Sequence, residues 1–398
     1  MKECVIVDGV RSPNFRAHVE KGWARNLRID EILTQVYDGL FARNPKVKPE
    51  DVDAVFCGSA NQSGPQADIA RLGWLAGGYP ESVGTCSLGQ QCPSAMAALE
   101  FGARTIMLGE ADIIVASGAE DMLVGRRSGG GGMDMAPRLA QRYNVADFPM
   151  GMTAEKVGAM WNVSKTDAHK MAYHSNKKAA AAQAAGKFKD EIIPIKGCLK
   201  DDGTPFVCDQ DQWVRPDVSM EKMEAMQPAF KPGGLVTAAG SSPLTSGACA
   251  ALLMSREKAD ELGYDYHLKY VYGAMAGCDP TVMGIGPLYA AQKLLKRTNM
   301  TIDDIDIWEL NEAFGTQSVA VCREMGFGDE PPFEKVKLNV WGGALALGHP
   351  LGQSGARIII TLNNIMKKDY PDAKYGVGFL CGGFGNANAS LWQNVNKP

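Results

Sequence analysis

The chain has 398 residues, enough for two or three folded units with a large buried core. Its 41 Lys and Arg against 45 Asp and Glu give a net charge of −4, so no basic surplus exists to recruit nucleic acid. Ten Cys stand beside five His without a C-x-x-C pair or a His pair at helical spacing, which excludes a disulfide scaffold and a metal site and points to reduced thiols in a cytoplasmic setting.

Residues 1–10 (MKECVIVDGV) carry too short an apolar run to be a secretory signal, and Asp8 interrupts it. Nowhere do 18 apolar residues follow one another, so no membrane span is expected. Residues 2–8 predict a short buried strand, and residues 50–56 (EDVDAVF) a second one after a polar turn. Residues 93–109 (PSAMAALEFGARTIMLG) predict a helix apolar nearly all round, which belongs between layers rather than at a surface. Residues 112–117 (DIIVAS) read as a strand covered on both faces. Residues 125–132 (GRRSGGGG) form a cationic, glycine-rich loop, and residues 153–186 an Ala- and Lys-rich helical stretch broken near 162–164. Residues 233–253 then turn small and apolar, as a segment returning to the core near residue 246 would.

Three of these patterns recur in the same order. Residues 51–56 (DVDAVF) match residues 304–309 (DIDIWE) at an offset of 253. Ser94 with Gly102-Ala103-Arg104 is echoed loosely by Ser354-Gly355-Ala356-Arg357, and residues 112–117 by 375–381 (YGVGFLC). Duplication is the economical reading. It gives one α/β half at 1–120 with 246–265, a second at 266–398, and an inserted loop domain at 121–245.

Four residues follow core elements at turns. Cys92 precedes Pro93 and the apolar helix, where backbone N–H groups and the helix dipole favour a thiolate; a plain N-cap in a tight turn suits it equally. His349 lies between glycines in residues 341–357 (WGGALALGHPLGQSGAR), where a capped structural turn is the bland alternative. Asn311-Glu312-Ala313-Phe314 follows a strand, the place where α/β folds put ligand contacts and also a natural helix N-cap. Cys381 ends the last apolar strand and enters Gly382-Gly383-Phe384-Gly385, either as an acid/base thiol or as a buried strand-end Cys.

With these motifs, and with Met152-Thr153-Ala154-Glu155, Gln227-Pro228-Ala229-Phe230 and residues 237–247 (TAAGSSPLTSG), the chain resembles the thiolase family along nearly its whole length. The resemblance implies an α/β fold, the duplicated thiolase fold with five layers α/β/α/β/α and an inserted CoA-binding loop domain. It implies degradative thiolytic cleavage of a 3-oxoacyl-CoA through an acyl-Cys92 intermediate. By the same transfer His349 is the base, Cys381 the second acid, and Asn311 the holder of a water at the enolate oxygen. The N–H groups of Cys92 and Gly383 form the other oxyanion hole, Ser242 meets the pantetheine arm and Arg215 the nucleotide end. Coenzyme A is then a co-substrate with no resident cofactor or metal, and a homodimer or higher oligomer is implied. The chain departs from the family pattern at Gly89, Trp341, Phe384, Asn386 and the 129–132 glycine run. These departures suggest a bulky, aromatic or dicarboxylic acyl group, as in a benzoylsuccinyl-CoA-type thiolase with an accessory subunit. A decarboxylating condensing enzyme of the same fold and a non-enzymatic CoA-binding protein are the rival readings.

Overall fold

The computed structural model describes residues 1–123 and 135–397. The strands predicted at 2–8, 50–56 and 112–117 are present with shifted ends as β1 (Cys4–Arg11), β3 (Ala54–Gly58) and β5 (Ile113–Asp121), and β2 (Phe15–Arg16) and β4 (Gly84–Leu88) join them. A hairpin of β6 (Ile195–Leu199) and β7 (Pro205–Cys208) follows, then β8 (Thr245–Ser255) and β9 (Leu268–Gly277). The last strands are β10 (Ile307–Leu310), β11 (Lys337–Leu338), β12 (Tyr375–Gly382) and β13 (Asn386–Asn394). The longer helices are α1 (Ile29–Arg43), α2 (Ile69–Ala76), α3 (Ser94–Leu108), α4 (Met150–Met160), α5 (Lys165–Ala184), α6 (Gly286–Thr298), α7 (Gly315–Glu324) and α8 (Leu351–Lys368). Among the described residues no helix is long and apolar enough to cross a membrane.

The sheet order is two copies of one pattern. One half runs β4-β3-β5-β8-β1 and the other β11-β10-β12-β13-β9, joined where β1 and β9 pair at only two positions. In both halves the first two pairings are parallel and the last two antiparallel. The repeated D-x-D pattern has a structural cause. Residues 50–53 are a 3-10 turn and a linker rather than strand, because Asp51 caps the turn by accepting the Lys48 N–H. Asp304 does the same for Thr301. Asp53 Oδ2 then accepts the N–H groups of Asp112 and Ile113 at 2.7 and 2.9 Å, fixing the start of β5. Asp306 Oδ2 accepts those of Lys374 and Tyr375 at 2.7 and 3.0 Å, fixing the start of β12.

Alternation along the strands builds the layers. Ile114 and Ala116 of β5 and Ala251 and Leu253 of β8 face a core shared with α3 and α8, while Val115 and Leu252 face α1. All nine residues of β5 and all eleven of β8 are buried, as two covered faces require. Helix α6 covers the outer face of β9, β13 and β12, and α1 that of β8, β1 and β5. With α3 and α8 in the middle the stack is α/β/α/β/α.

The central helices meet at their first turns. A Cβ on Gly355 would lie 2.5 Å from the Met96 nitrogen and 2.7 Å from its Cβ, so only glycine permits this approach. Gly355→Ala is expected to destabilise the protein by about 1–3 kcal/mol, the usual cost of overpacking a filled core. Urea unfolding measures it; an unchanged midpoint would mean that the helices part without penalty.

The halves differ in one connection. Between β12 and β13 the chain needs only Gly383–Gly385, whereas between β5 and β8 it spends residues 122–244. This insertion carries α4, α5 and the β6–β7 hairpin, and the predicted break falls at Asn162, whose φ is 50°. The Gly129–Gly132 run lies outside the described residues.

Candidate active site

Cys92 ends a tight turn between β4 and α3. Gln91 holds φ 58°, a region disfavoured for side chains, and Ser94 locks the turn. The Ser94 hydroxyl donates to the Gln91 carbonyl at 2.6 Å and accepts the Gln90 N–H at 2.8 Å. The Cys92 sulfur faces two backbone donors, the N–H of Gly383 and its own. Gly383 gets there because Gly382 lies flat on the turn: a Cβ on Gly382 would come within 2.6 Å of Pro93 Cδ. Neither donor belongs to the first turn of α3, whose N-cap is Pro93, and the thiolate is not favoured. Burial pushes the thiol up to about 12, the Glu120 carboxylate adds to this, and the two N–H groups offset only part of it. Cys92 therefore rests as a thiol at neutral pH.

His349 stands before the first turn of α8, in the repeat position that mirrors the Cys92 turn. Its backbone N–H donates to Thr245 Oγ1 at 3.2 Å, and its Nδ1 lies 2.6 Å from Ser354 Oγ. The Ser354 hydroxyl donates to the Pro350 carbonyl at 2.9 Å, so it accepts from Nδ1–H. The network thus assigns the proton to Nδ1 and makes Nε2 an acceptor, toward which the Asn311 amide donates. Asn311 Nδ2 lies 3.3 Å from Nε2, and Asn311 Oδ1 is buried with no protein partner. Burial first, and the buried Arg357 guanidinium second, lower His349 to about 3, so the imidazole stays neutral. Glu120 ties this helix to the Cys92 turn: its carboxylate accepts the Gly352 N–H at 3.0 Å while its charge acts on the Cys92 thiol.

Cys381 is fully buried among Ala154, Val236, Met283, Ala313 and Phe314; Ala154, Ala313 and Phe314 belong to sequence motifs and Val236 adjoins one. That apolar surround raises its thiol well above the ordinary range, and the nearby Cys92 and Cys278 sulfurs raise it further. Two protonated thiols thus lie near each other, and the neutral imidazole stands at the mirrored turn with Asn311 on its Nε2.

The turn after Cys381 carries an anomaly. Phe384 has φ 63° and ψ 21°, a left-handed conformation costing a bulky L-residue about 1–2 kcal/mol. Its ring meets Phe148 edge-on at 6.0 Å between centroids, and Phe148 in turn lies 5.8 Å from Tyr143. Such a pair contributes about 0.5–1.5 kcal/mol, which roughly offsets the strain.

The other motif residues divide between support and binding. Glu312 is a clamp: its carboxylate accepts from Ser175 Oγ at 2.6 Å, Asn339 Nδ2 at 2.7 Å and the Leu345 N–H at 3.2 Å. It fastens the loop leading to His349 onto α5. Arg215 is exposed beside Trp213 and lines a cleft with Ser219, Lys222, Ser241 and Leu345. Trp213 Cδ1 would sit 3.1 Å from a Cβ on Gly348, so the cleft's inner wall touches the residue before His349. Ser242 is half-buried between the cleft residues Ser241 and Pro243, with its N–H on the Ala313 carbonyl at 3.0 Å. Trp341 points away from all of this, donating to Asp369 Oδ2 at 2.7 Å and packing on Phe188. Gly89 faces Gln62, whose Nε2 would be 3.0 Å from an added Cβ.

Sequence reasoning did not single out Ser354, Glu120 or Gln91 for the site. Ser354 alone left a signal, a Ser four residues after Pro350 that can bond back to its carbonyl. Among the described residues no group of three His, Cys, Asp or Glu is placed to hold a metal ion.

Comparison with known proteins gives a family match over most of the chain. The family model "Thiolase, N-terminal domain" matches residues 4–257 and "Thiolase, C-terminal domain" residues 266–394. The chain is 41% identical over 396 residues to a 3-ketoacyl-CoA thiolase of Vibrio vulnificus strain YJ016, covering 99% of this chain and 100% of that protein. A 3-ketoacyl-CoA thiolase of Vibrio parahaemolyticus serotype O3:K6 is 40% identical, with 98% of each chain covered. The crystal structure of the Bacillus anthracis acetyl-CoA acetyltransferase superposes with a TM-score of 0.86 at 32% identity, covering 99% of both chains.

Proposed function

We propose that this chain, which belongs to the thiolase family and is an acyltransferase acting on CoA esters, cleaves a 3-oxoacyl-CoA through an acyl-Cys92 intermediate in the degradative direction. The observation that carries the reading is the pair of backbone N–H groups, from Cys92 and Gly383, converging on a thiol at the start of α3. Donors so fixed are suited to an oxyanion formed on the carbon that this sulfur attacks.

In the proposed cycle His349 Nε2 takes the thiol proton as the Cys92 sulfur bonds to the 3-keto carbon. Breaking the bond between the 2- and 3-carbons leaves the acyl group on Cys92 and an acetyl-CoA enolate, which takes its proton from Cys381. The thiol of a second CoA then attacks the acyl-Cys92 carbonyl, its proton going to the Cys381 thiolate, and the Cys92–acyl bond breaks as His349 returns its proton to the Cys92 sulfur. The unprotonated Nε2 of His349 and the apolar surround that keeps Cys381 protonated support these roles. The unpartnered Asn311 Oδ1 suits a water that would meet the enolate oxygen. The two cations of the cleft, Arg215 and Lys222, suit the phosphates of CoA, with Ser242 beside the path to His349.

The condensing-enzyme reading is weaker because decarboxylation gives no work to a second buried acid such as Cys381. A specialised aromatic or dicarboxylic substrate with an accessory subunit loses the support of Trp341, which faces elsewhere. A homodimer or higher oligomer suits the free outer edge of β4, and a cytoplasmic setting suits ten unpaired thiols.

The test is to mix the protein with acetoacetyl-CoA without free CoA and map the acylated peptide by mass spectrometry. Acetyl on Cys92, released as acetyl-CoA when CoA is added, is the expected result. Turnover without any acyl-Cys92 would overturn it.

A further inference from the structure

We propose that Phe384 selects the acyl group at Cys92: its ring forms a wall that admits compact acyl groups and shuts out long straight chains. The inference rests on the acyl-Cys92 reading above.

The residue is in the wrong conformation for its type. Gly383 and Gly385 flank it, and Gly385 at φ 86° already supplies glycine's freedom to the turn. A third small residue, or Asn, would hold the left-handed region at 384 with less strain. The contact with Phe148 roughly balances the strain, so stability alone does not account for a ring here. Strain held in place by its surroundings is a mark of functional positions.

The ring's place gives it a task. Residue 384 follows Gly383, whose N–H faces the Cys92 sulfur, so its side chain begins one residue from the proposed oxyanion donor. Phe148 is 4% exposed and immediately precedes Pro149 and α4, so the surface that holds the ring is fixed. Phe384 itself is half-buried, leaving part of its face open. On the other side, the cluster around Cys381, with Met283 and Phe314, is already closed. An acyl chain growing from Cys92 therefore meets apolar walls, of which only Phe384 is kept against its own backbone preference. Of the sequence departures, Trp341 faces away, which leaves Phe384, next in the chain to the Gly383 donor, as the aromatic one at this turn.

The experiment measures kcat/KM for acetoacetyl-CoA, a long straight-chain 3-oxoacyl-CoA and an aryl 3-oxoacyl-CoA with the wild type, Phe384→Gly and Phe384→Asn. Expected is a wild type that prefers acetoacetyl-CoA to the long chain, and variants that gain at least about tenfold on the long chain relative to acetoacetyl-CoA. The Asn variant carries the same expectation should the Gly variant melt early. Equal change on all three substrates would reduce Phe384 to a structural part and overturn the proposal. A wild type fastest on the aryl substrate, with that preference lost in the variants, would make the ring a contact for an aryl group and also overturn the wall. A wild type that forms no acyl-Cys92 on any substrate would remove the underlying reading, and the wall with it.

Discussion

Cys92→Ala is expected to lower kcat/KM for thiolysis of acetoacetyl-CoA by at least about 10³-fold, because no other group can hold the acyl intermediate. Cys381 does not substitute, since its thiol is enclosed by apolar side chains and lacks the paired N–H donors described at Cys92. The substitution removes one sulfur from a site where it rests uncharged, so the melting temperature should move by only a few degrees. Thiolysis rate, intact mass after substrate addition and thermal melting together decide the matter. A variant that keeps a tenth of the activity, or still gains an acyl group, would place the nucleophile elsewhere.

His349→Gln is expected to cut turnover by about 10²–10⁴-fold, the usual contribution of a positioned general base. Gln keeps hydrogen-bonding capacity toward Asn311 and Ser354 but cannot accept the thiol proton. A second readout separates a catalytic from a packing role. His349 is lowered to about 3 in the folded chain by burial and by Arg357, while the unfolded chain binds its proton near 6.5. Between those values the unfolded state holds more protons, so stability is lost as pH falls through the window and is unaffected above it. At pH 5 the penalty is about 2 kcal/mol, at 1.36 kcal/mol for each pH unit below 6.5. Urea unfolding at pH 7.5 and pH 5 should therefore show the wild type losing about that much more stability than the variant. Equal losses would mean that the imidazole is charged or solvated in the folded protein.

The fold was legible where a local pattern has one physical meaning. Continuous apolar runs marked strands buried on both faces, and the 253-residue offset between 51–56 and 304–309 marked the duplication. The motif was misread in detail, since its first residues cap a turn. The Asp residues recur because Asp53 and Asp306 each fix the start of the next parallel strand. Cys92, His349, Asn311 and Cys381 were legible as residues at turns after core elements, and their roles came from the family resemblance. Ser354 left only its spacing from Pro350, and Glu120 left nothing, because it acts on Gly352 and Cys92, partners distant along the chain.

The chain by itself determined the repeat, the insertion and the residue types able to do chemistry, because these depend on order and composition along one line. Only the tertiary structure decided their electrical states. The N–H groups of Cys92 and Gly383 favour a Cys92 thiolate, yet enclosure by the two halves makes desolvation the larger effect and keeps a thiol. The same enclosure holds His349 neutral and Cys381 protonated. Burial is a property of three dimensions, and in this protein it sets which group gives a proton and which can take one.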